Sequence, residues 1–518
     1  MTSTDVSPET SPDISPDISA AEALELNPTA PRPPEETRPL VDGRQTHPLY
    51  NDQPMKLGLF GTNCSYGLIM SHAETTYRAT WEHTLQVART AEAIGFEALV
   101  PIARWRGFGG TTNFNGNCFE TYAWAAGLAQ ATERIGIFAT SHLPTMHPIV
   151  AAKAATTIDH ISGGRFGLNL VMGWFSPEME MFDGTQREHD ERYTFGQEWL
   201  DLVLKLWSEE GSFDHHGDFF NCRGVESYPK PHQAPRPILI NAGNSKAGVE
   251  FSARNVDVNF ASLTTFEEMK AYTDTIRGKA REEHQRDIKT MTYGLVVCRD
   301  TEKDAKAAFQ HVIDKGDWGA AENVMKIAGM QSQSFNEQIK QFQERFIAGW
   351  AGFPIVGNPE QVTEQFAQLK ENGMEGMIMG MVDYNEEMKY FDAEVMPLLK
   401  QAGLRHWAYS LGLPLGDGSA DDDVCGRAAA EPVRCARHRR PRGGPGRGHP
   451  CLPAARAHPD PRRRRPPRHG AQRRRGQEVH PRLPDLRGRH PAVPSRFASQ
   501  YRERYGELPS ETVRRSAG

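Results

Sequence analysis

Eight short apolar runs recur through the middle of the chain, separated by stretches of helical periodicity. That alternation restricts the fold more than any other feature. The runs are KLGLF (56–60), FEALV (96–100), RIGIFAT (134–140), RFGLNLV (165–171), PILINAG (237–243), VDVNFAS (256–262), TMTYGLVV (290–297) and GMIMGMV (376–382). Several are continuous rather than alternating, as strands covered on both faces require. Amphipathic helical patterns lie between most of them, at 80–95, 147–161, 193–209 and 360–372. Eight such strand–helix units predict an α/β fold, a closed parallel (β/α)8 TIM barrel. Two gaps, 174–236 and 301–359, exceed what a plain barrel needs and carry further helical patterns. Insertions of this kind commonly form lids, so they are expected to wall a site.

The ends differ in character. Residues 1–53 are rich in Pro, Ser, Asp and Thr, with a near repeat SPDISPDIS, and predict a disordered tail with order beginning at Met55. The barrel domain is expected over 54–412, followed by an Arg/Pro-rich low-complexity tail over 413–518. From Asp421 onward the chain holds 24 Arg, no Lys and 10 acids, a net +14, which leaves the rest at −20. An acidic body argues against nucleic acid as its substrate. The tail has no aromatic interleaving for base stacking. It reads as a disordered extension, or as an altered reading frame in a GC-rich gene.

The seven Cys are scattered, odd in number and without a CxxC, which fits a reducing cytoplasm rather than a disulfide framework. No basic and apolar leader and no membrane-length apolar run occurs. There is no Walker motif, no GxGxxG after a strand, no HExxH and no GxSxG, so nucleotide folds of those types, zinc proteases and acyl-transfer hydrolases are disfavoured.

In a parallel α/β protein, chemistry gathers at the C-terminal ends of the strands. Thr140 and Ser141 end the third run; Asn169 lies in the fourth, which Gly173 and Trp174 close. In INAGNSKAG (240–248), Ser245 opens a helical run, where free N–H groups and a hydroxyl suit a phosphate. An ordinary N-cap is the equal alternative. In EHDERY (188–193), Arg192 can pair with a phosphate and Tyr193 can stack or hydrogen-bond, although the acids also suit a solvated helix start. His142, His147 and His189 lack metal-ligand spacing, so no metal is expected.

With RGFGG, GGRFGLNLVMGW, HDERY, the LW…GDFF pattern and AGNS, residues 55–405 resemble the luciferase-like flavin monooxygenases, most closely their pyrimidine and sulfone monooxygenase subgroup. The resemblance implies a two-component oxidoreductase, with a separate flavin reductase using NADH or NADPH to supply reduced FMN, O2 as cosubstrate, a flavin peroxide as oxidant, and a homodimer or higher homo-oligomer. It implies flavin contacts at Ala103, Arg104, Asn169, Glu178, Arg192, Tyr193 and Ser245, and an oxygen site at Thr140 and Asn169. Around that site Phe60, Cys64, Trp105, Phe108, Phe114 and Trp350 are largely apolar. They suit a flat hydrophobic ring better than a buried polar one. The expected reaction is oxidative dehalogenation of a polychlorinated aromatic such as hexachlorobenzene to a chlorophenol. Pyrimidine ring opening, sulfone cleavage, and a non-catalytic flavin-binding role are the alternatives.

Overall fold

The computed structural model describes residues 41–74, 77–327 and 337–406. Each of the eight apolar runs overlaps a barrel strand: β1 (Lys56–Phe60), β2 (Ala98–Val100), β3 (Gly136–His142), β4 (Phe166–Val171), β5 (Ile238–Asn241), β6 (Val258–Ala261), β7 (Lys289–Cys298) and β8 (Gly376–Gly380). Neighbours pair in parallel around the ring in the order β6, β5, β4, β3, β2, β1, β8, β7, and β6 pairs with β7 to close it. The (β/α)8 barrel is therefore the observed architecture. A short strand at Ile355–Gly357, which the apolar runs do not reveal, extends the far end of β7.

Crossovers carry helices on the outside. They include α1 (Trp81–Ala93), α2 (Thr121–Ala131), α3 (Pro148–Ser162), α4 (Ser176–Met181), α5 (His189–Ser208), α6 (Lys246–Asn255), α7 (Phe266–His284), α8 (Glu302–Asp314), α9 (Trp318–Ile327), α10 (Glu337–Ile347) and α11 (Pro359–Glu371). The outer core between strands and helices buries Leu57, Leu59, Leu168, Leu239, Trp124 and Trp199. The inner core fills the barrel with Phe60, Phe138, Ile240, Phe260, Tyr293 and Ile378. Gly167 is required there, because a Cβ at that position would lie 2.1 Å from the Phe138 ring. At the ISGGR turn, Gly163 and Gly164 take φ of 66° and 87°, ending α3 as a glycine pair permits.

Two expectations need correction. Order does not begin at Met55. Residues 41–53 pack under the barrel, with Leu49, His47 and Gln53 buried and Val41–Asp42 paired in parallel with Gln233–Ala234. A Pro/Asp-rich composition hid these few anchoring side chains. The cysteines are not all free either: Cys64 and Cys118 are bonded, their Cα atoms 4.1 Å apart. Their separation of 54 residues carries no signature in the sequence. The expected tails at 1–40 and 413–518 lie outside the described residues. Among the described residues no helix is long and apolar enough to cross a membrane.

Candidate active site

Two recesses open at the C-terminal ends of the strands. The first, about 80 Å³, lies where the loop after β2 meets the end of β3, and Ala103, Trp105, Tyr122, Thr140, Ser141 and His142 are among its walls. Strand register places Thr140 beside Asn169 on β4. The Asn169 amide donates to the Thr140 hydroxyl at 3.0 Å, and that hydroxyl donates to the Pro101 carbonyl at 2.6 Å. Thr140 thus keeps its proton on the backbone, while Asn169 Oδ1 is buried with no partner. Asn169 is the member of the pair with hydrogen-bonding capacity to offer.

Behind this recess lies a buried ionic cluster. Glu178, on α4, has no exposed surface. Its Oε2 lies 3.1 Å from both Arg104 Nη1 and His142 Nδ1. Its Oε1 accepts the backbone N–H groups of Trp105 and Arg106 at 2.7 and 3.3 Å. One carboxylate therefore ties the β2 loop to the end of β3. Burial alone would raise the Glu178 pKa, but the contact with His142 and the charge of Arg104 outweigh it and hold the carboxyl below its ordinary range. Burial pushes His142 in the direction of the neutral imidazole, with Arg104 adding to the effect and Glu178 opposing it. The Arg104 guanidinium also lies over the Phe108 ring, 4.5 Å from its centroid, and 5.3 Å from that of Phe175. Sequence reasoning expected Arg104 and Glu178 as flavin contacts; the structure sets their charged groups against each other.

The second recess, about 420 Å³, is a cleft between the end of β4, the start of α5 and the β5–α6 turn. Its lining brings together Arg192, Tyr193 and Ser245, three of the expected residues, with Asn241, Gly243 and Asn244. Ser245 is the N-cap of α6, accepting from Gly248 N at 3.1 Å, and also lines the cleft, so both readings of it hold. A Cβ at Gly243 or Gly248 would stand 2.8 or 2.7 Å from the Tyr193 hydroxyl. The glycines therefore let that hydroxyl reach the helix start, beside Ser245. Burial raises the Tyr193 pKa, keeping a protonated phenol as donor. Arg192 donates one N–H to the Gly173 carbonyl at 3.1 Å and leaves its buried Nε without a partner.

Described parts of the 301–359 insertion, among them α9 and residues 346–351, pack over this end of the barrel, where walls of a site were expected. Ala320, Val324 and Met325 of α9 pack on Phe108, Phe114 and Phe175, and Ile327 reaches the second cleft. Phe108, Phe114, Trp174, Phe175 and Trp350 form an aromatic wall with centroid spacings of 4.7–6.3 Å. The three histidines weighed as metal ligands have separate tasks: His147 caps α3, His189 pairs with Asp190, and His142 joins Glu178. The role of His142 was missed. Its signal was strand parity, since residue 142 shares a strand face with Thr140.

Comparison with known proteins identifies the family. The family of luciferase-like monooxygenases matches residues 55–376. An FMNH2-dependent dimethylsulfone monooxygenase of Pseudomonas putida is 31% identical over 363 residues, covering 67% of this chain and 96% of its own. The pyrimidine monooxygenase RutA of Acinetobacter baylyi is 31% identical over 354 residues, covering 67% and 95%. Among solved structures, DmoA from Hyphomicrobium sulfonivorans superposes with a TM-score of 0.61 at 19% identity, covering 69% of this chain and 90% of its own. A long-chain alkane monooxygenase superposes at 0.62 and 19%, covering 69% and 94%. The chain belongs to the luciferase-like monooxygenase family and is an enzyme of the monooxygenase class.

Proposed function

We propose that this enzyme is an FMNH2- and O2-dependent monooxygenase, supplied with reduced flavin by a separate cytoplasmic reductase that uses NADH or NADPH. Its proposed substrate class is the polychlorinated aromatics, such as hexachlorobenzene, oxidatively dehalogenated to a chlorophenol. The observation that carries the reading is that an anion-suited cleft and a buried Thr–Asn pair with spare hydrogen-bonding capacity occupy the same end of one barrel.

The residues present fit flavin mononucleotide. Arg192, with its unpartnered Nε, the Tyr193 phenol, the Ser245 hydroxyl and the start of α6 would hold the phosphate. Ala103 and Asn169 would border the ring, with Thr140 and Asn169 beside the oxygen site. Bound reduced FMN supplies the electrons that activate O2. Arg104 and Glu178 act as positioning residues, fixing the loop that carries Ala103 and Trp105. The aromatic wall and the α9 cover keep water from the reacting groups.

The apolar wall supports a flat hydrophobic substrate. A second reading, oxidation of a sulfone or of a pyrimidine, draws on the names of the relatives and on the buried, unpartnered hydroxyls of Ser141 and Tyr122 in the smaller recess. Incubation with ¹⁸O2, FMN, NADH and a flavin reductase, with a polychlorobenzene, uracil and a dialkyl sulfone present, separates them. Labelled chlorophenol with released chloride is expected. Label confined to uracil or sulfone products moves the enzyme to the second reading, and no label in any product counts against both.

A further inference from the structure

Of the side chains that line the smaller recess, His142 is the one imidazole, a group that can take up a proton near neutral pH. Its ring is 5% exposed and lines the cavity shared by Thr140 and Ala103. Its Nδ1 lies 3.1 Å from Glu178 Oε2, a close charge contact without the alignment of a hydrogen bond. Its Nε2 has no hydrogen-bond partner among the described residues. The charged and titratable groups around it come from three elements: Arg104 on the loop after β2, Glu178 on α4, and Glu120 and Tyr122 at the start of α2. A carboxylate this close to Nδ1 favours the proton on that nitrogen, and the neutral imidazole then presents a lone pair at Nε2. This is the same logic by which a buried carboxylate fixes the tautomer of a catalytic histidine.

We propose that His142 is a catalytic base of this site: Nε2 takes the proton from the oxygen nucleophile held beside Thr140 and Asn169, and Glu178, steadied by Arg104, stabilises the imidazolium that results. In this step an O–H bond breaks and an N–H bond forms. The electron pair of the broken bond stays on oxygen, which becomes the stronger nucleophile. The negative charge on Glu178 is present before the step, so the new positive charge arises beside a carboxylate already in place. Arg104 keeps that carboxylate from capturing the proton itself. The inference rests on the proposed oxygenase reading for the identity of the nucleophile, but the state of His142 can be tested without it.

The first test is ¹⁵N NMR of histidine-labelled full-length protein without flavin, with the resonance assigned from His142→Gln. The expected result is an Nδ1-protonated, neutral ring at pH 7 that stays neutral below the ordinary histidine range. An Nε2-protonated tautomer, or an imidazolium at pH 7, overturns the proposal. The second test is the pH profile of kcat/KM with reduced FMN and whichever substrate the wild type turns over. The wild type should lose activity on the acid side as His142 protonates. His142→Gln should lower kcat by about 10²–10⁴-fold and remove that acid limb. Its Kd for FMN should stay within about threefold of wild type, because no cofactor contact is lost. Activity within about threefold of wild type, an unchanged acid limb, or a loss explained wholly by weaker FMN binding overturns the proposal. Should His142→Gln not fold, Glu178→Gln replaces it in the kinetics: the acid limb must move to lower pH, and a limb that stays fixed overturns it. If the wild type oxygenates nothing, the oxygenase reading fails while the NMR result still decides the state of His142.

Discussion

The two ends of this barrel handle buried charge in opposite ways. At the N-terminal end, ionic groups are matched to near completion. Glu97 Oε2 accepts from Leu57 N and Arg405, both at 2.8 Å, and its Oε1 accepts from Arg405 and Asn51. Asp257 similarly binds Arg236 and accepts from Leu239 N at 2.8 Å. Arg165 donates to the carbonyls of Ser162, Ile135, Ala129 and Thr132. At the C-terminal end, Asn169 Oδ1, Arg192 Nε, Ser141 Oγ and the Tyr122 hydroxyl are buried and unpartnered. Such atoms occur at both ends, with His47 Nε2, Gln233 Oε1 and Arg405 Nε at the first, and each costs roughly 1–3 kcal/mol; at the C-terminal end Ser141, Tyr122 and Arg192 line the two recesses, where a bound molecule can meet them. One end holds the barrel shut, and the other is set up for a guest.

The largest effect should come from breaking the matched end. Glu97→Ala leaves Arg405, 3% exposed, without its carboxylate. It should cost about 3–5 kcal/mol of unfolding free energy in urea melts. Protein that remains folded should bind FMN as the wild type does. A loss below about 1 kcal/mol would erase the contrast between the ends. At the other end the expected effect is on chemistry. Thr140→Ala removes the hydroxyl that joins Pro101 to Asn169. Stability should fall by about 1 kcal/mol, while oxygenation falls about 10²-fold with FMN binding near normal. Unchanged turnover would remove Thr140 from the site.

Much of this contrast was legible in the sequence, and the unread part has a physical cause. All eight strands were readable because buried parallel strands are continuous apolar runs, and β1 and β8 are buried along their whole lengths. Thr140, Asn169, Arg192, Tyr193 and Ser245 were readable because they sit at strand ends and helix starts. The anchor at 41–53 was not, because a few buried side chains such as His47 and Leu49 leave composition almost unchanged. Nor was the Arg104–Glu178–His142 cluster. Its members are far apart in the chain and meet only when the barrel closes. Residue type and local spacing report an element; they do not report which charges face each other across it.

A smaller effect tests whether the second cleft holds an anion or merely caps a helix. Ser245→Gly keeps the N-cap at a cost of a few tenths of a kcal/mol, since glycine is tolerated there. The hydroxyl is lost, so the Kd for FMN measured by fluorescence quenching should rise about tenfold, the equivalent of about 1.4 kcal/mol. An unchanged Kd would return Ser245 to a purely structural role.

The least conspicuous prediction concerns a buried histidine of the matched end. His47 is 1% exposed, and burial lowers its pKa from 6.5 to about 3, with Asp257 opposing the shift and Arg165 adding to it. Between those values the unfolded chain binds a proton at His47 that the folded chain refuses, so stability rises with pH and is lost as pH falls below about 6.5. The slope from this one group is at most about 1.4 kcal/mol per pH unit. In the fold His47 accepts from Leu49 N through Nδ1 and packs edge-on against Phe138. His47→Asn preserves an acceptor for Leu49 N but cannot titrate. At pH 7 it should be the less stable protein, by about 1–3 kcal/mol of lost packing. Toward pH 5 the wild type weakens and the variant does not share that loss, so the gap should close by about 2 kcal/mol at most. Urea melts of both proteins at the two pH values measure it. A gap that stays constant would mean that the barrel bottom accommodates a charged imidazole, and that the two ends differ less in their treatment of charge than their geometry implies.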